Sequence, residues 1–346
     1  MQYKFYTTSG KAWTAMLAAI QNAHKSIYLE SFIFLHDTFP THNFIAELTA
    51  KAQEGVRVCL VVDSVGSYTL DRNEIKKLTD AGGEVVYFSF WFRRIHRKVL
   101  VVDETIGFLG GVNIGNEYAQ WLDLHLKITA RPIIKSLLRS FALSYRLCSG
   151  QNKEILKFEK VLPLRRQAGL WLLDHWPMRD AEKLRTYYET RISAAQKSIT
   201  IVSPYFLPHR WFRKALFAAA KRGVNVEVLL PSPTDPAILT PANLFFAASY
   251  YDEGINFFLG KKMNHAKVLL IDDHEGLVGS QNIDAMSFDF NAEVGMGFTN
   301  KKMVSDLKAI VARWKHNSTK FTDDYFQRRW YHKPLEFLAR FLQPVL

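Results

Sequence analysis

The sequence predicts an α/β fold built from two tandem copies of one domain, and three observations lead to this prediction. Apolar runs of strand length alternate with stretches of helical periodicity along the chain. Its 346 residues suit two domains better than one. The stretch HRKVLVVDETIGFLGGVN, from His96 to Asn113, returns as HAKVLLIDDHEGLVGSQN, from His265 to Asn282, at a constant offset of 169 residues. Related blocks upstream keep the same order in both halves, which chance does not produce.

The predicted elements follow one another in the same order in each copy. In the first, a helix in TAMLAAIQNAHKS precedes a strand in SIYLESFIF, a helix in FIAELTAKAQEG and a strand in VRVCLVVD. In the second, the corresponding segments are LRTYYETRISAAQKS, SITIVSPYF, WFRKALFAAAKRG and VNVEVLLP. Gly55 and Gly223 each follow a basic last turn, where glycine typically ends a helix.

We expect the first domain at residues 1–150 and the second at 181–346, joined by residues 151–180. Both periodicities are weak in the joining stretch, and Pro163 and Pro177 interrupt it. The C-terminal segment RRWYHKPLEFLARFLQPVL predicts a short amphipathic helix after Pro334, which lies on a bilayer or docks on the protein body.

Composition excludes several classes of protein. Cys59 and Cys148 are the two cysteines, too few for a disulfide framework or a thiolate metal cluster. No Asp, Glu and His residues have convincing metal spacing, so we expect neither a metal nor another cofactor. The N-terminus lacks the apolar core of a signal peptide, and no apolar run reaches the about 18 residues of a transmembrane helix. The net charge of +12 favours anionic partners, whether nucleic acid, acidic lipid or phosphorylated small molecules.

The repeated stretch carries the candidate chemistry. If HRKVLVVD is a strand, His96 and Lys98 point to one side, while Asp103 points to the other. The same parity holds for His265, Lys267 and Asp272. We therefore expect the histidine and lysine of each motif to act together, and the aspartate to support the scaffold.

A hairpin would bring a further polar residue to each motif. After the aspartate comes a polar turn and a second apolar run, so that Asn113 returns beside His96 and Asn282 beside His265. Small residues that allow a phosphate oxygen to approach the backbone precede both asparagines: Gly110, Gly111, Gly279 and Ser280. One such motif would be uninformative, but two at one spacing are more specific than core packing demands.

These paired motifs resemble those of the phospholipase D superfamily over nearly the entire chain, and most closely those of bacterial cardiolipin synthases. Shared features are GG in the first copy and GS in the second, the PYF block at Pro204 to Phe206, the DDHEGLVGSQNIDAMSFDFNAEV pattern and the ending FLARFLQPVL. The resemblance implies two phospholipase D-like α/β domains related by pseudo-twofold symmetry. Each has a mixed sheet flanked by helices, and one composite active site forms at their interface.

The resemblance also implies roles for the site residues. His96 is expected to be the nucleophile that forms a phosphohistidine, and His265 the general acid and base. The groups expected to hold the non-bridging phosphate oxygens are Lys98, Lys267, Asn113, Asn282 and, as an additional donor, Ser280. Such a cage supplies the positive charge that a metal supplies elsewhere. The resemblance further places an acid behind each histidine: Glu293 for His265, and Asp123 in the first copy, unless Asp123 is an ordinary surface carboxylate.

Basic and aromatic clusters indicate which kind of substrate the protein is expected to bind. Arg93 and Arg94, in FRRIHRK, directly precede the nucleophile and are expected to meet anionic headgroups, although solvated surface charge is the simpler interpretation of any one cluster. LPLRRQ and QRRW are the other basic clusters. The run FSFWF, from Phe88 to Phe92, suits a headgroup and acyl-chain boundary or, equally, a buried strand.

With these features, the resemblance implies a phosphatidyltransferase that is expected to act from the cytoplasmic face of the bacterial cell membrane as a peripheral protein. Phosphatidylglycerol would donate its phosphatidyl group to His96, and a second lipid hydroxyl would accept it. A hydrolytic phospholipase D, with water as acceptor, uses the same residues. A nuclease is less expected although the charge permits it, and a catalytically dead lipid-binding scaffold is disfavoured because every catalytic position is filled.

Overall fold

The computed structural model describes residues 2–35, 37–38, 41–161 and 169–322. It comprises two compact units, one of Met1–Asp174 with Ala292–Met296, and the other of His175–Asn291 with Gly297–Leu346. The division after Asp174 falls inside the stretch 151–180 that we expect to join the domains. The helix predicted after Pro334 and the clusters LPLRRQ and QRRW lie outside the described residues.

The first unit contains a seven-stranded mixed sheet. Its strands are β1 (Tyr3–Thr8), β2 (Ser26–Ser31), β3 (Arg57–Asp63), β4 (Glu84–Phe88), β5 (Lys98–Val102), β6 (Ile106–Gly110) and β7 (Leu122–Ile128). Its helices are α1 (Ser9–Gln21), α2 (Phe44–Gln53), α3 (Arg72–Asp80), α4 (Arg131–Leu147) and α5 (Lys153–Leu156). The strand order is β1-β7-β6-β5-β2-β3-β4; β2, β3 and β4 run parallel, and the other neighbours antiparallel.

Strand β2 is buried on both of its faces. Ile27 and Leu29 belong to the apolar core that contains α1 and α2, whereas the ring of Tyr28 packs against Phe141 of α4 with 5.3 Å between centroids. Because side chains alternate along a strand, helices cover the sheet on two sides. Strand β2 is shorter than its apolar run predicts, and it ends at Ser31. Strand β5, which follows the histidine of the first motif, pairs with β2 and is the central strand of the sheet.

The second set of elements repeats this arrangement. The strands are β8 (Leu170–His175), β9 (Ser198–Val202), β10 (Asn225–Pro231), β11 (Asn256–Gly260), β12 (Val268–Ile271), β13 (Glu275–Gly279), β14 (Glu293–Phe298) and β15 (Ser318–Lys320). The helices are α6 (Lys183–Ala194), α7 (Arg210–Lys221), α8 (Leu239–Tyr251) and α9 (Lys301–His316). The strand order is β15-β11-β10-β9-β12-β13-β14-β8.

The internal repeat is visible in the topology. The order β6-β5-β2-β3-β4 in one sheet corresponds to β13-β12-β9-β10-β11 in the other. Helices α2 and α7 also end alike, since Gly55 and Gly223 follow them with φ of 84° and 85°, the left-handed conformation that a glycine cap supplies. The predicted tandem α/β fold, with two mixed sheets flanked by helices, is confirmed.

The residue between the histidine and lysine of the first motif anchors β5 from its other side. Arg97 is fully buried; its Nε lies 3.0 Å from Glu30 Oε1, and its Nη1 lies 2.5 Å from Asp174 Oδ1. Ser144 donates to the same oxygen of Glu30 at 2.6 Å. The interpretation of Arg97 as part of a solvated surface cluster is therefore wrong. If Arg97 lost these carboxylates, its buried charge would be unpaired, which is strongly destabilising. The ion pairs therefore hold β5 in place.

Candidate active site

Each motif is carried by a β-hairpin with the same turn. Strands β5 and β6 pair from Val99 with Leu109 to Val102 with Ile106, and β12 pairs with β13 in the corresponding register. The first two turn residues of each hairpin have positive φ, as a type I′ turn requires: Asp103, Glu104, Asp272 and Asp273. Each hairpin returns the chain towards the motif from which it started, as the sequence predicts.

His96 lies two residues before the start of β5 and is held by both its backbone and its ring. Its backbone N–H donates to the carbonyl of Ala292 at 3.0 Å. Its Nδ1 lies 3.0 Å and 3.2 Å from the two carboxylate oxygens of Glu293, and both side chains are buried. A carboxylate can only accept, so we assign the proton of the neutral ring to Nδ1, which puts the lone pair on Nε2. That arrangement orients a histidine whose Nε2 is to react.

Glu293 lies beside the histidine of the first motif. Glu293 follows the second motif in sequence and was paired with His265 by resemblance, yet it contacts His96. The reason is tertiary, because the segment Ala292–Met296 belongs to the first unit and Ala292 forms a parallel bridge with Ile95.

Asp123, expected behind the first histidine, lies in β7 and is buried, so its interpretation as a surface carboxylate is also wrong. One of its carboxylate oxygens accepts the N–H of Leu124 at 2.7 Å. The acid that the structure shows on Nδ1 of His96 is Glu293.

Lys98 is folded back towards the histidine beside it. Its Nζ donates to the backbone carbonyl of His96 at 2.8 Å and lies 5.0 Å from the ring centroid of Phe32. The same ring contacts that of His96 edge to face, with 4.9 Å between centroids. Phe32 therefore orders both polar side chains, and no motif in the sequence pointed to it.

The second motif has a related geometry with one difference. Lys267 Nζ donates to the carbonyl of His265 at 2.6 Å, and it also lies 2.7 Å from the ring Nε2 of His265. An ammonium can only donate, so Nε2 of His265 is the acceptor in this state. The ring of Tyr205, from the PYF block, lies 6.4 Å from the ring of His265.

The side chains of the two motif asparagines are alike in burial and in hydrogen bonding. Asn113 and Asn282 are buried, and Oδ1 of each has no hydrogen-bond partner in the part of the chain that the structure describes. Their backbones are fixed, since Trp13 Nε1 donates to the carbonyl of Asn113 at 2.9 Å and the N–H of Asn282 donates to Ser287 Oγ at 2.9 Å. Ser280, expected as an additional donor, is fully buried at the end of β13. Buried amide oxygens without a partner among the described residues, at equivalent positions of both copies, are typical of a site that binds a polar ligand.

The motif aspartates bind backbone. Asp103 accepts N–H groups from His24, Lys25 and Ser26 at 2.7 to 3.2 Å. Asp272 accepts the equivalent groups of Gln196, Lys197 and Ser198. Burial opposes ionisation of both carboxyls, but these N–H donors outweigh it and lower the pKa of each. Each aspartate thus secures the start of the neighbouring strand, β2 or β9.

We expect Asp103→Ala to destabilise the fold and spare the chemistry. The free energy of unfolding should fall by on the order of 3 kcal/mol, because three backbone donors lose a charged acceptor. Urea denaturation measures this, with the exposed Asp252→Ala as the matched control. Turnover per folded molecule should change less than about tenfold, and a loss as large as that of a catalytic histidine would contradict the scaffold role.

His125 is a buried titratable residue near the first motif that sequence reasoning missed. Neither ring nitrogen has a hydrogen-bond partner among the described residues. Burial lowers the pKa of His125 to about 4; Asp123 opposes this shift, and the ammonium of Lys98 adds to it. Alternation along WLDLHLKI puts His125 on the face of Asp123 and Lys127, so the sequence pattern does not predict that its ring is buried.

The depressed pKa of His125 predicts acid-sensitive stability. Its contribution should be complete above pH 6.5, the ordinary pKa, and should be lost as the pH falls towards about 4, because the unfolded chain takes up the proton first. The full effect is on the order of 3 kcal/mol. Urea denaturation between pH 7 and pH 4.5 should give a shallower pH dependence for His125→Leu than for the exposed control His316→Leu. Equal slopes would contradict the assignment.

The segment before His96 is an exposed loop. Strand β4 ends at the buried Phe88, after which Trp91 is 85% and Phe92 is 64% exposed. The interpretation of the whole run as a buried strand is therefore wrong. Arg94 does not extend into solvent, because its Nη1 donates to the carbonyls of Phe90 and Arg93 at 3.1 and 2.8 Å.

Comparison with known proteins places the chain in a family. The model described as "Cardiolipin synthase, PLD-like domain" matches residues 16–143 and 188–314, one match in each copy of the repeat. The chain belongs to this family. It is 30% identical to cardiolipin synthase 2 of Staphylococcus epidermidis and 29% identical to the cardiolipin synthase of Alkalihalophilus pseudofirmus. Each comparison covers 99% of this chain, with 74% and 72% of the respective relative.

Its fold is similar to that of a solved phosphatidylserine synthase of Haemophilus influenzae, with a TM-score of 0.80 over 100% of this chain and 95% of that one. The sequence identity is 16%, so this likeness shows the fold. None of the helices in the described residues has the length and apolar character needed to cross a bilayer. Those residues also contain no group of three His, Cys, Asp or Glu side chains placed to hold a metal ion.

Proposed function

We propose that this protein is a phosphatidyltransferase of the cardiolipin synthase type, which moves a phosphatidyl group from phosphatidylglycerol to the hydroxyl of a second lipid. Membership of the family supports the reaction class. The observation that carries the mechanism is the buried bond between Nδ1 of His96 and Glu293. It turns Nδ1 towards the carboxylate, so that the ring in its neutral form carries its lone pair on Nε2, which is the nucleophile that a phosphohistidine route needs.

In the first half-reaction, Nε2 of His96 attacks phosphorus, a P–N bond forms and the bond from phosphorus to the glycerol oxygen breaks. His265, protonated, gives its proton to that oxygen, and glycerol leaves. The positive charge that develops on His96 is stabilised by Glu293. In the second half-reaction His265, now neutral, takes the proton of the incoming hydroxyl, whose oxygen attacks phosphorus and releases His96.

The lysines and asparagines of both motifs are proposed to bind the non-bridging oxygens. Asn113 and Asn282 would donate to these oxygens through Nδ2, whereas Oδ1 of each, buried and without a partner among the described residues, can only accept. Lys267 contacts Nε2 of His265 in this state, which corresponds to the neutral His265 of the second half-reaction. A phosphate oxygen would draw this ammonium away and leave Nε2 for the proton. Asp123, buried near His125, remains proposed as an acid that orients a catalytic histidine.

We propose that the protein meets the bilayer through an aromatic patch on the first unit. Apart from Ile238, the exposed large apolar side chains of the described residues lie in one short part of the chain: Val65, Tyr68, Tyr87, Phe90, Trp91 and Phe92. Strands β3 and β4 pair with Asp63 opposite Phe88, so the segments that follow them leave the same sheet edge. Asp63 accepts the N–H of Ile95 at 2.9 Å, which ties this edge to the residue before His96. Aromatic rings are suited to the interface between water and lipid.

The patch predicts a defined loss of membrane binding. Replacing both Trp91 and Phe92 with serine should reduce cosedimentation with phosphatidylglycerol vesicles at least about tenfold, because two aromatic rings no longer leave water. Ile238→Ser is the matched control, as Ile238 is an exposed large apolar residue elsewhere. Unchanged sedimentation of the double variant would exclude the patch as the contact surface.

Product analysis tests the reaction. Purified protein is incubated in EDTA with vesicles of labelled phosphatidylglycerol, and in parallel with single- and double-stranded DNA. Cardiolipin with an equal amount of glycerol supports the proposal. Phosphatidic acid without cardiolipin would instead mean that water is the acceptor, and cleaved DNA with unchanged lipid would overturn the proposal.

A further inference from the structure

A cavity of about 640 Å³ opens in the second unit beside helices α7 and α8. Its size falls within the range of about 300 to 1,000 Å³ that ligand sites span. No residue of the two motifs lines it. The transfer chemistry proposed above therefore leaves this cavity without a role.

One part of its wall is positively charged. Arg210, Arg213 and Lys214 line the cavity from the first turns of α7, and their spacing of three and four residues puts them on one face of the helix. In the described part of the chain none of the three side chains makes an ion pair or side-chain hydrogen bond. The lining contains one carboxylate, Glu253. The wall therefore retains a net positive charge suited to an anion.

The lining changes from cationic to aromatic along α7. Phe217, one turn beyond Lys214, lines the cavity together with Phe245 and Phe246 of α8. The ring of Phe217 packs edge to face on Tyr250, with 4.9 Å between centroids. A free inorganic anion would leave this aromatic part unused, whereas a molecule with an anionic head and an apolar chain would contact both parts.

Tyr250 supplies an independent indication of a ligand. This tyrosine is 1% exposed and lines the cavity, and its hydroxyl has no hydrogen-bond partner among the described residues. Buried hydroxyl groups are normally satisfied, because an unpaired one has lost its water without replacement. The hydroxyl itself is closed to water in this state, so a ligand oxygen in the cavity accepts its hydrogen bond once the ring turns towards the cavity.

We propose that the cavity between α7 and α8 binds one anionic phospholipid molecule. Its phosphate contacts Arg210, Arg213 and Lys214, the start of an acyl chain packs on Phe217, Phe245 and Phe246, and the Tyr250 hydroxyl donates to a phosphate or ester oxygen. The site lies outside the motifs, so it binds lipid whether or not that lipid is turned over.

Photo-crosslinking tests this site directly. The probe is a short-chain phosphatidic acid with a diazirine on one acyl chain, used below its micelle concentration with the full chain. Phosphatidic acid has no alcohol to release, so phosphatidyl transfer does not consume it. We expect labelled peptides that contain Phe217 or the Phe245–Phe246 pair. Unlabelled short-chain phosphatidic acid should compete, and inorganic phosphate at the same concentration should not.

Variants separate the lipid site from general surface charge. Arg213→Gln combined with Lys214→Gln should lower labelling at least about tenfold, and Lys221→Gln, at the end of the same helix, should leave it unchanged. Tyr250→Phe should raise the melting temperature of the free protein and weaken labelling, a combination that a purely structural tyrosine would not give. Absence of label from the peptides that contain Phe217 or Phe245–Phe246, or complete competition there by inorganic phosphate, would overturn the proposal. Neither outcome depends on which alcohol the enzyme uses, so failure here is distinguishable from failure of the proposed transfer reaction.

Discussion

His96→Ala will lower phosphatidyl transfer by at least about 10⁴-fold, because it removes the atom that we propose bonds to phosphorus. The measurement is the initial rate of cardiolipin formation from phosphatidylglycerol vesicles. Since His96 is buried, circular dichroism and the melting temperature establish that the variant is folded.

The matched control is His316→Ala, which removes an exposed histidine at the end of α9 and should leave the rate unchanged. A folded His96→Ala variant that retains a tenth or more of the wild-type rate would show that another group attacks phosphorus.

Glu293→Gln will lower kcat by about 10² to 10⁴-fold and leave KM nearly unchanged. The side chain keeps its size and an acceptor oxygen, but it loses the charge that we propose stabilises the positive charge developing on the His96 ring. An effect confined to the transition state appears in kcat, whereas a loss of lipid binding would appear in KM.

Glu182→Gln is the control for this change, since it neutralises an exposed glutamate at the start of α6. Glu293→Asp should recover part of the loss, because it restores the charge. If Glu293→Gln retained full kcat, the bond between His96 and Glu293 would have no catalytic role.

Much of the fold could be predicted from the repeat. Strand parity and hairpin spacing placed the aspartates away from the histidines, and the structure has Asp103 and Asp272 bonded to backbone at the starts of β2 and β9. These features are local, because each depends on residues within one strand or hairpin and on alternation along it.

What the sequence could not provide depends on tertiary arrangement. The spacing of Glu293 from the second motif suggested His265 as its partner, but no local pattern indicates that Ala292–Met296 belongs to the first unit. Arg97 belongs to a basic cluster in sequence, and only the buried Glu30 and Asp174 reveal why it is inside. Phe32 has no motif of its own, and its position between His96 and Lys98 follows from how β2 ends beside β5.

The most direct test of the central claim is to trap the phosphohistidine. In His265→Asn, a phosphatidyl ester of p-nitrophenol needs no acid to release its leaving group, whereas the second half-reaction lacks its base. The account predicts a burst of one p-nitrophenolate per protein and an acid-labile phosphatidyl group on the peptide that contains His96. Absence of the burst, or a label on any other residue, would contradict it.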